Sequence, residues 1–267
     1  MDIVIVTGAS KGIGKRVCLE LLKRPTIVIA AARSLDLLLA LQQEASQYES
    51  SQLITISGDI TDASTRQNII EAVSTLLANQ GSKLQALINN AALVSPTGPL
   101  LSHSDEEWLR QWQTNIQAPM SLITQCMPFF SRNSRAVVLN VTSSTSQRPV
   151  PGFGPYGSTK VALNYLTAAL ASEYPQISFI AFYPGVVDTP MNKEALDAAQ
   201  KFHKHAQSEG LDIDMSGCVE MLQSPISADA PCAIMANLAL YADSSLSGKF
   251  YTYKDKEMEP YSQKFIN

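Results

Sequence analysis

The chain alternates short runs of apolar, mostly β-branched residues with longer segments in which apolar residues recur every three or four positions. The short runs are typical of buried strands, and the period of the longer segments indicates helices. Strands are predicted over residues 3–7, 26–32, 53–58, 86–90, 136–142, 177–183 and 248–252. Helices are predicted over residues 14–23, 35–47, 65–78, 106–130 and 156–173. Such alternation predicts an α/β fold: a doubly wound, parallel, Rossmann-type sheet with helices on both faces.

The long helix over 106–130 has a recognisable start and end. Ser104 followed by Glu107 fits a capping box, in which each residue satisfies a backbone N–H of the other. Asp105 and Glu106 would lie at the positive end of the helix dipole. Pro128 should end or kink the helix, because its ring removes a backbone donor.

Residues 190–225 interrupt the rhythm of strands and helices. They are mixed in character, partly helical, and follow the carboxyl end of a strand, where ligand crevices form in such sheets. We expect this segment to form a mobile lid over a ligand. Apolar residues available to line the lid are Met191, Leu196, Phe202, Met215 and Met221, and Leu93, Val94, Phe153 and Pro155 would supply the facing wall.

Composition and charge restrict the class of protein. The 267 residues are 45% hydrophobic and 16% charged, which suits one domain, residues 1–267, with a large buried core. The net charge of −4 comes without a basic stripe, so no nucleic-acid partner is expected. No apolar run approaches the ~20 residues of a membrane span. No membrane partner is expected, and the expected location is cytoplasmic.

A glycine-rich turn joins the first predicted strand to the first predicted helix. Gly8, Gly12 and Gly14 have the spacing Gly-x-x-x-Gly-x-Gly. One glycine permits the tight turn, another lets the backbone approach a phosphate, and the last lets helix and strand pack closely. The turn predicts a phosphate-bearing ligand on the free N–H groups at the amino end of the helix.

Several polar residues fall in a fixed order after this turn. Asn89-Asn90-Ala91-Ala92 ends the fourth predicted strand, and Asn115 lies in the following helix. Ser143 follows the fifth strand, and Tyr156 and Lys160 lie one helical turn apart. Ser144 competes with Ser143 for the same role. A Ser/His nucleophile is excluded, since no Gly-x-Ser-x-Gly elbow surrounds either serine.

In this order, the features resemble the short-chain dehydrogenase/reductase family over nearly the whole chain, and within it carbonyl reductases of the sepiapterin reductase and fungal benzil reductase type. Only Ala92 departs from the usual motif, where glycine is common. The resemblance implies hydride transfer between a nicotinamide and a carbonyl or alcohol. Tyr156 would be the general acid, and Ser143 would hold the carbonyl oxygen. Lys160 would favour the tyrosine phenolate and hold the nicotinamide ribose. Asn115 would anchor a water that links Lys160 to solvent.

The resemblance also implies a set of cofactor contacts. Asp59 and Ile60 match the segment that contacts adenine, and Val187 and Thr189 match residues that hold the nicotinamide carboxamide. The cofactor-binding residues implied are Gly8, Ser10, Lys11, Gly12, Ile13, Gly14, Arg33, Ser34, Asp59, Ile60, Asn89, Ala91, Tyr156, Lys160, Pro184, Gly185, Val187 and Thr189.

The end of the second strand indicates which nicotinamide is used. A carboxylate there would bind the ribose hydroxyls of NAD and repel a phosphate, but this chain has Arg33 instead. Its planar, charged guanidinium suits a phosphate, and Lys11 in the glycine turn adds a second cation. By resemblance, Ser10, Lys11, Arg33 and Ser34 would surround the 2′-phosphate of NADP, so the expected cofactor is NADP(H).

No metal site is expected. Cys18, Cys126, Cys218 and Cys232 form no Cys-x-x-Cys pair and have no zinc-ligand spacing. His203 and His205 are two residues apart, so they point to different sides of a helix.

The expected function is NADPH-dependent reduction of a hydrophobic carbonyl compound to the alcohol, with aromatic ketones and α-dicarbonyls among the candidates. Two alternatives stay open: an NADP-dependent alcohol or hydroxysteroid dehydrogenase that works in oxidation, and a non-catalytic NADP-sensing scaffold. The resemblance also implies a homodimer or tetramer built on the helices predicted over 106–130 and 156–173, since oligomers favour closed symmetry.

Overall fold

The computed structural model describes residues 1–78, 82–130 and 136–262. Seven parallel strands form one sheet in the order β3-β2-β1-β4-β5-β6-β7. The order reverses between β1 and β4, as in a doubly wound sheet. The predicted fold class is therefore confirmed. The strands are β1 (Asp2–Thr7), β2 (Thr26–Ala32), β3 (Gln52–Ser57), β4 (Lys83–Asn89), β5 (Val137–Val141), β6 (Ser178–Tyr183) and β7 (Phe250–Thr252).

Ten α-helices lie in the described part of the chain. Among them, none combines the length and apolar character that crossing a membrane requires. The helices are α1 (Gly12–Leu22), α2 (Leu35–Ala45), α3 (Ala63–Leu77), α4 (Asp105–Trp112), α5 (Ala118–Cys126), α6 (Gly154–Glu173), α7 (Pro190–Ser208), α8 (Ser216–Gln223), α9 (Asp229–Tyr241) and α10 (Glu259–Ser262).

The sheet is buried on both faces because successive strand residues point to opposite sides. In β1, Val4 and Val6 belong to one hydrophobic cluster, and Ile3 and Ile5 belong to the other. The first cluster is completed by α1, α2 and α9, and the second includes α3 and α5. This explains why the strands are continuous apolar runs without polar alternation.

The helix predicted over 106–130 is one helical segment whose hydrogen-bond pattern changes along its length. The predicted capping box of Ser104 and Glu107 starts α4. A π-helical turn, Gln113–Gln117, joins α4 to α5, and a short 3₁₀ turn around Pro128 ends the segment. The predicted helix and its end at Pro128 are therefore confirmed, and the π turn was not predicted.

Two further differences concern the last third of the chain. The helix α9 was not predicted, and it is buried along most of its length between α1 and the sheet. A helix that is apolar on nearly all sides lacks the amphipathic period that identifies surface helices. The last strand is shorter than predicted, since only Phe250–Thr252 pairs with β6.

Candidate active site

A cavity of about 390 Å³ opens at the carboxyl ends of the central strands. Its wall brings together most of the predicted site residues. These are Gly8, Ser10, Lys11, Gly12, Ile13, Arg33, Ser34, Asp59, Ile60, Ala91, Ser143, Tyr156, Lys160, Pro184, Gly185, Val187 and Thr189. Gly14, Asn89 and Asn115 lie outside the wall.

The glycine turn leaves the amino end of α1 open to a ligand. Lys11 is the N-cap residue, and no side chain caps the first N–H groups of this helix. Gly8 has a positive φ of 66°, which permits the tight turn. A Cβ on Gly14 would stand 2.3 Å from the Gly8 carbonyl oxygen, so Gly14 serves the packing of helix against strand. Free N–H groups in a dipole-positive cradle fit a pyrophosphate.

Charged side chains lie at the end of the cavity formed by β2 and β3. The exposed Arg33 guanidinium is 3.9 Å from the Asp59 carboxylate. Burial would raise the pKa of Asp59, but hydrogen bonds from Thr61 and the charges of Arg33 and Arg110 outweigh it and hold this pKa below its usual value. Asp59 is therefore ionised, and it orients Arg33 across the cavity.

The hydroxyl groups of Ser143 and Tyr156 meet at the opposite end of the cavity. Ser143 Oγ accepts hydrogen bonds from Thr145, from the backbone N–H at 3.2 Å and from the hydroxyl at 3.1 Å. With both acceptor positions occupied, Ser143 keeps only its own proton to donate. Tyr156 lies within its hydrogen-bonding reach. Ser143, rather than its competitor Ser144, is the serine paired with Tyr156.

Burial dominates the protonation of Tyr156 and Lys160. It raises the pKa of Tyr156 to about 12, against the smaller lowering effect of Ser143, and it lowers the pKa of Lys160 to about 8. Lys160 Nζ donates to the Val141 carbonyl at 2.8 Å and lies 5.6 Å from the Tyr156 ring. Burial therefore acts on both groups towards their neutral forms. The expected effect of the ammonium on the tyrosine phenolate stays a prediction.

Asn115 lies in the π-helical turn, beside the cavity wall. Its side chain accepts from the Leu93 N–H at 2.8 Å and donates to the Leu93 carbonyl at 2.9 Å. It also donates to Thr159 in α6 at 3.1 Å. The amide thus ties the strand-end loop after β4 to α6. Its predicted role in anchoring a water stays a prediction.

Asn89 is buried inside the sheet rather than in the cavity. Its amide donates to Asn140 at 2.9 Å, and Asn140 donates to Thr167 in α6 at 2.9 Å. The neighbouring Asn90 lines the cavity and donates to the Thr7 carbonyl at 2.8 Å. Of these two asparagines, Asn90 lines the cavity and the predicted Asn89 does not.

Apolar side chains cover the end of the cavity beyond Tyr156. Of the residues predicted for this wall, Leu93, Val94, Phe153, Met191 and Met221 line it. The other predicted residues do not. Leu196, Phe202 and Met215 pack in a small core under α7 and α8, which contains Ala195, Ala199 and Leu222 as well. Pro155 is buried in the first turn of α6.

Several wall residues were not predicted from the sequence. Arg110 and Thr114 come from α4 and the π turn, and Cys218 comes from α8. None of these carries a local motif, since the fold alone brings them to the cavity. Tyr183 also lines the cavity. Its position directly before Pro184-Gly185 was a signal that could have identified it.

Comparison with known proteins agrees with this geometry. The family model of the short chain dehydrogenases matches residues 2–200. An (S)-benzoin-forming benzil reductase of Saccharomyces cerevisiae is 27% identical over 97% of this chain and 98% of its own. An NADPH-dependent pterin aldehyde reductase of Arabidopsis thaliana is 28% identical over 70% of this chain and 76% of its own. A crystal structure of a short chain dehydrogenase/reductase from S. cerevisiae superposes with a TM-score of 0.83 at 24% identity. The superposition covers 98% of this chain and 99% of that one, so the two proteins share a fold.

The lowered pKa of Lys160 predicts a pH effect on stability. The folded chain releases this proton near pH 8 and the unfolded chain near 10.5, so stability from Lys160 rises with pH in between. Above pH 10 the raised pKa of Tyr156 has the opposite effect, because the stability that this group contributes falls as pH rises. The wild type and Lys160→Met are compared without cofactor by urea denaturation. From about pH 8 to 10, the unfolding free energy of the wild type should rise by roughly 2 kcal/mol relative to that of the variant.

Lys201→Met is the matched control, since Lys201 is exposed on α7. Its unfolding free energy should run parallel to that of the wild type. A constant difference between wild type and Lys160→Met over this range would contradict the prediction.

Proposed function

The chain belongs to the short chain dehydrogenase family, and we propose that it reduces a hydrophobic carbonyl compound to the alcohol with NADPH. The observation that carries this proposal is the position of the Ser143 and Tyr156 hydroxyls. They lie in one cavity wall, between the glycine turn with its open helix end and the apolar side chains of Phe153 and Met191. A carbonyl oxygen placed there meets two hydroxyl donors, and the rest of the substrate meets apolar surface.

We assign the roles by what each side chain can donate. A bound reduced nicotinamide supplies the hydride to the carbonyl carbon. Ser143 donates a hydrogen bond to the oxygen as negative charge develops there. Tyr156, whose pKa is raised to about 12, is protonated at neutral pH and gives its proton to that oxygen. Lys160 lies beside the tyrosine on the same helix face, where it would bind the nicotinamide ribose.

Residues 190–225 are proposed to act as a lid within a single domain of residues 1–267. The two helices α7 and α8 cover the apolar end of the cavity with Met191 and Met221. Asn192 donates to the Leu222 carbonyl at 3.0 Å and joins the two helices. We expect α7 and α8 to move together, and this movement would close the cavity over a substrate.

The apolar wall supports a hydrophobic substrate with an aromatic ketone or an α-diketone as the leading candidates. The benzil-reducing relative supports the same class. Measurement of NADPH oxidation with ketones, α-diketones, quinones and pterins tests the proposal. Strong activity on charged hydroxy acids, with none on aromatic ketones or diketones, would overturn the substrate class.

Tyr156→Phe should lower kcat by about 10²–10⁴-fold, because general acid catalysis is lost while the ring is retained. NADPH binding, measured by fluorescence titration, should change little. Tyr241→Phe is the control, since Tyr241 is exposed at the end of α9, and it should keep wild-type turnover. If Tyr156→Phe keeps more than half of the wild-type kcat, the assignment is wrong.

Arg33→Asp should shift the preference from NADPH towards NADH. The change removes a phosphate partner and adds a repelling charge, and Lys11 should keep the switch incomplete. The ratio of kcat/KM with NADPH to that with NADH should fall by about 10- to 100-fold. Arg33→Gln removes the charge alone and should produce a smaller fall. A wild type that uses both cofactors equally well would reject this role of Arg33.

We propose a homodimer or tetramer built on α4 and α6. These helices pack together and expose apolar side chains: Leu109 is 58% exposed, Trp112 39%, Val161 50% and Tyr165 75%. Exposed apolar side chains on two packed helices suit an interaction surface. Light scattering at micromolar concentration should give a mass that is a multiple of 29.0 kDa. Leu109→Glu should reduce this mass to that of one chain. Leu39→Glu, at an exposed leucine of α2, should leave the mass unchanged.

A further inference from the structure

Two tyrosine–serine pairs stand side by side in the cavity wall. Ser143 and Ser144 are consecutive residues just after β5, and the wall includes both, together with Tyr156 and Tyr183. The proposed reduction uses Ser143 and Tyr156. It leaves Ser144 and Tyr183 without a role, although both line the same cavity.

The pairing of β5 with β6 explains why the second pair exists. Val141 is in register with Phe182, and the Thr142 N–H donates to the Phe182 carbonyl at 2.9 Å. This register brings the residues after β5 beside the last residue of β6, which is Tyr183. The Ser144 hydroxyl consequently lies within hydrogen-bonding reach of the Tyr183 hydroxyl.

The surroundings of Tyr183 keep its hydroxyl protonated and able to donate. Burial raises its pKa, and the nearby Tyr253 acts in the same direction. Ser144 and the charges of Arg148 and Lys254 oppose this effect without cancelling it. Both cations lie on the surface, where water screens them. Tyr183 is thus a half-buried neutral phenol at the edge of an apolar wall.

We propose that Tyr183, supported by Ser144, donates a hydrogen bond to the second oxygen of a vicinal dicarbonyl substrate whose first oxygen is bound by Ser143 and Tyr156. This inference rests on the proposed carbonyl reduction and makes Tyr183 a specificity-determining residue of that site.

The presence of two donor pairs in one cavity wall is what favours a dicarbonyl. A substrate with two neighbouring acceptor oxygens can use both pairs, and the aromatic α-diketones proposed above have such oxygens. A monoketone bound in the same position would place a methylene against the Tyr183 hydroxyl and leave this donor without a partner. A site that is built to hydrogen-bond a polar group discriminates against the analogue that lacks it, because an unpaired buried polar group is unfavourable.

The test compares Tyr183→Phe with the wild type on two matched substrates, benzil and deoxybenzoin, which differ by one carbonyl oxygen. With NADPH, kcat/KM for benzil should fall by about tenfold, the effect expected for one lost hydrogen bond to a buried oxygen. For deoxybenzoin it should stay within about twofold. The wild type itself should prefer benzil, and the variant should lose most of that preference.

Tyr241→Phe is the matched control, because Tyr241 is exposed at the end of α9 and does not line the cavity. It should leave both substrates unaffected. Ser144→Ala should reduce the preference for benzil in the same direction as Tyr183→Phe. Phenylglyoxylate, which carries a carboxylate in place of the second ketone, shows whether a charged oxygen binds there instead.

The outcomes separate this inference from the proposed function. Equal losses on benzil and deoxybenzoin in Tyr183→Phe, or no loss on either, would overturn the role of Tyr183 while carbonyl reduction stands. A wild type that prefers phenylglyoxylate to benzil, with the preference lost in Arg148→Gln, would overturn the dicarbonyl assignment in favour of an anionic group. A wild type that reduces none of the three would reject the proposed substrate class itself.

Discussion

A buried chain of hydrogen bonds from β4 through β5 to α6 is the interaction on which the site depends. Asn89 donates to Asn140, Asn140 donates to Thr167, and Thr167 donates to the Leu163 carbonyl at 2.7 Å. All three side chains are buried, so the loss of any of these bonds would leave an unpaired polar group away from water, which is unfavourable. The chain fixes α6 against the end of β5. The packing of α6 against β5 places Tyr156 and Lys160 opposite Ser143.

Around this frame the polar groups of the cavity are held by hydrogen bonds within their own turns and by bonds to distant residues. Thr145 occupies both acceptor positions of Ser143 and leaves it a donor. Asn115 holds both backbone groups of Leu93 and so shapes the loop after β4. The π-helical turn presents Asn115 at the required angle, and such turns occur frequently at functional sites.

Electrostatics divides the cavity into two unlike halves. At the β2 end, the ionised Asp59 faces Arg33. Both side chains remain partly in water, where keeping a charge costs little free energy. At the β5 end, Lys160 is only 3% exposed, and burial drives both Lys160 and Tyr156 towards their neutral forms. A neutral, protonated tyrosine is the form that the proposed reduction needs for donating a proton.

The sequence by itself determined the features that depend on local geometry. The positions of the strands followed from apolar runs, the start of α4 from its capping box, and the pairing of Tyr156 with Lys160 from one turn of helix. The family was also recognisable from ordered motifs, because each motif is a short turn or helix whose residues interact with near neighbours. The assigned roles of these residues remain predictions.

Only the tertiary structure decided what depends on strand pairing and on packing between distant elements. The helix α9 escaped prediction because it is apolar on nearly all sides. The π turn at Asn115 is bonded to Leu93, which lies in the loop after β4. Arg110 and Cys218 entered the cavity wall through packing between distant elements. Register between β5 and β6 brought Ser144 beside Tyr183, and no period or spacing within either strand contains that information.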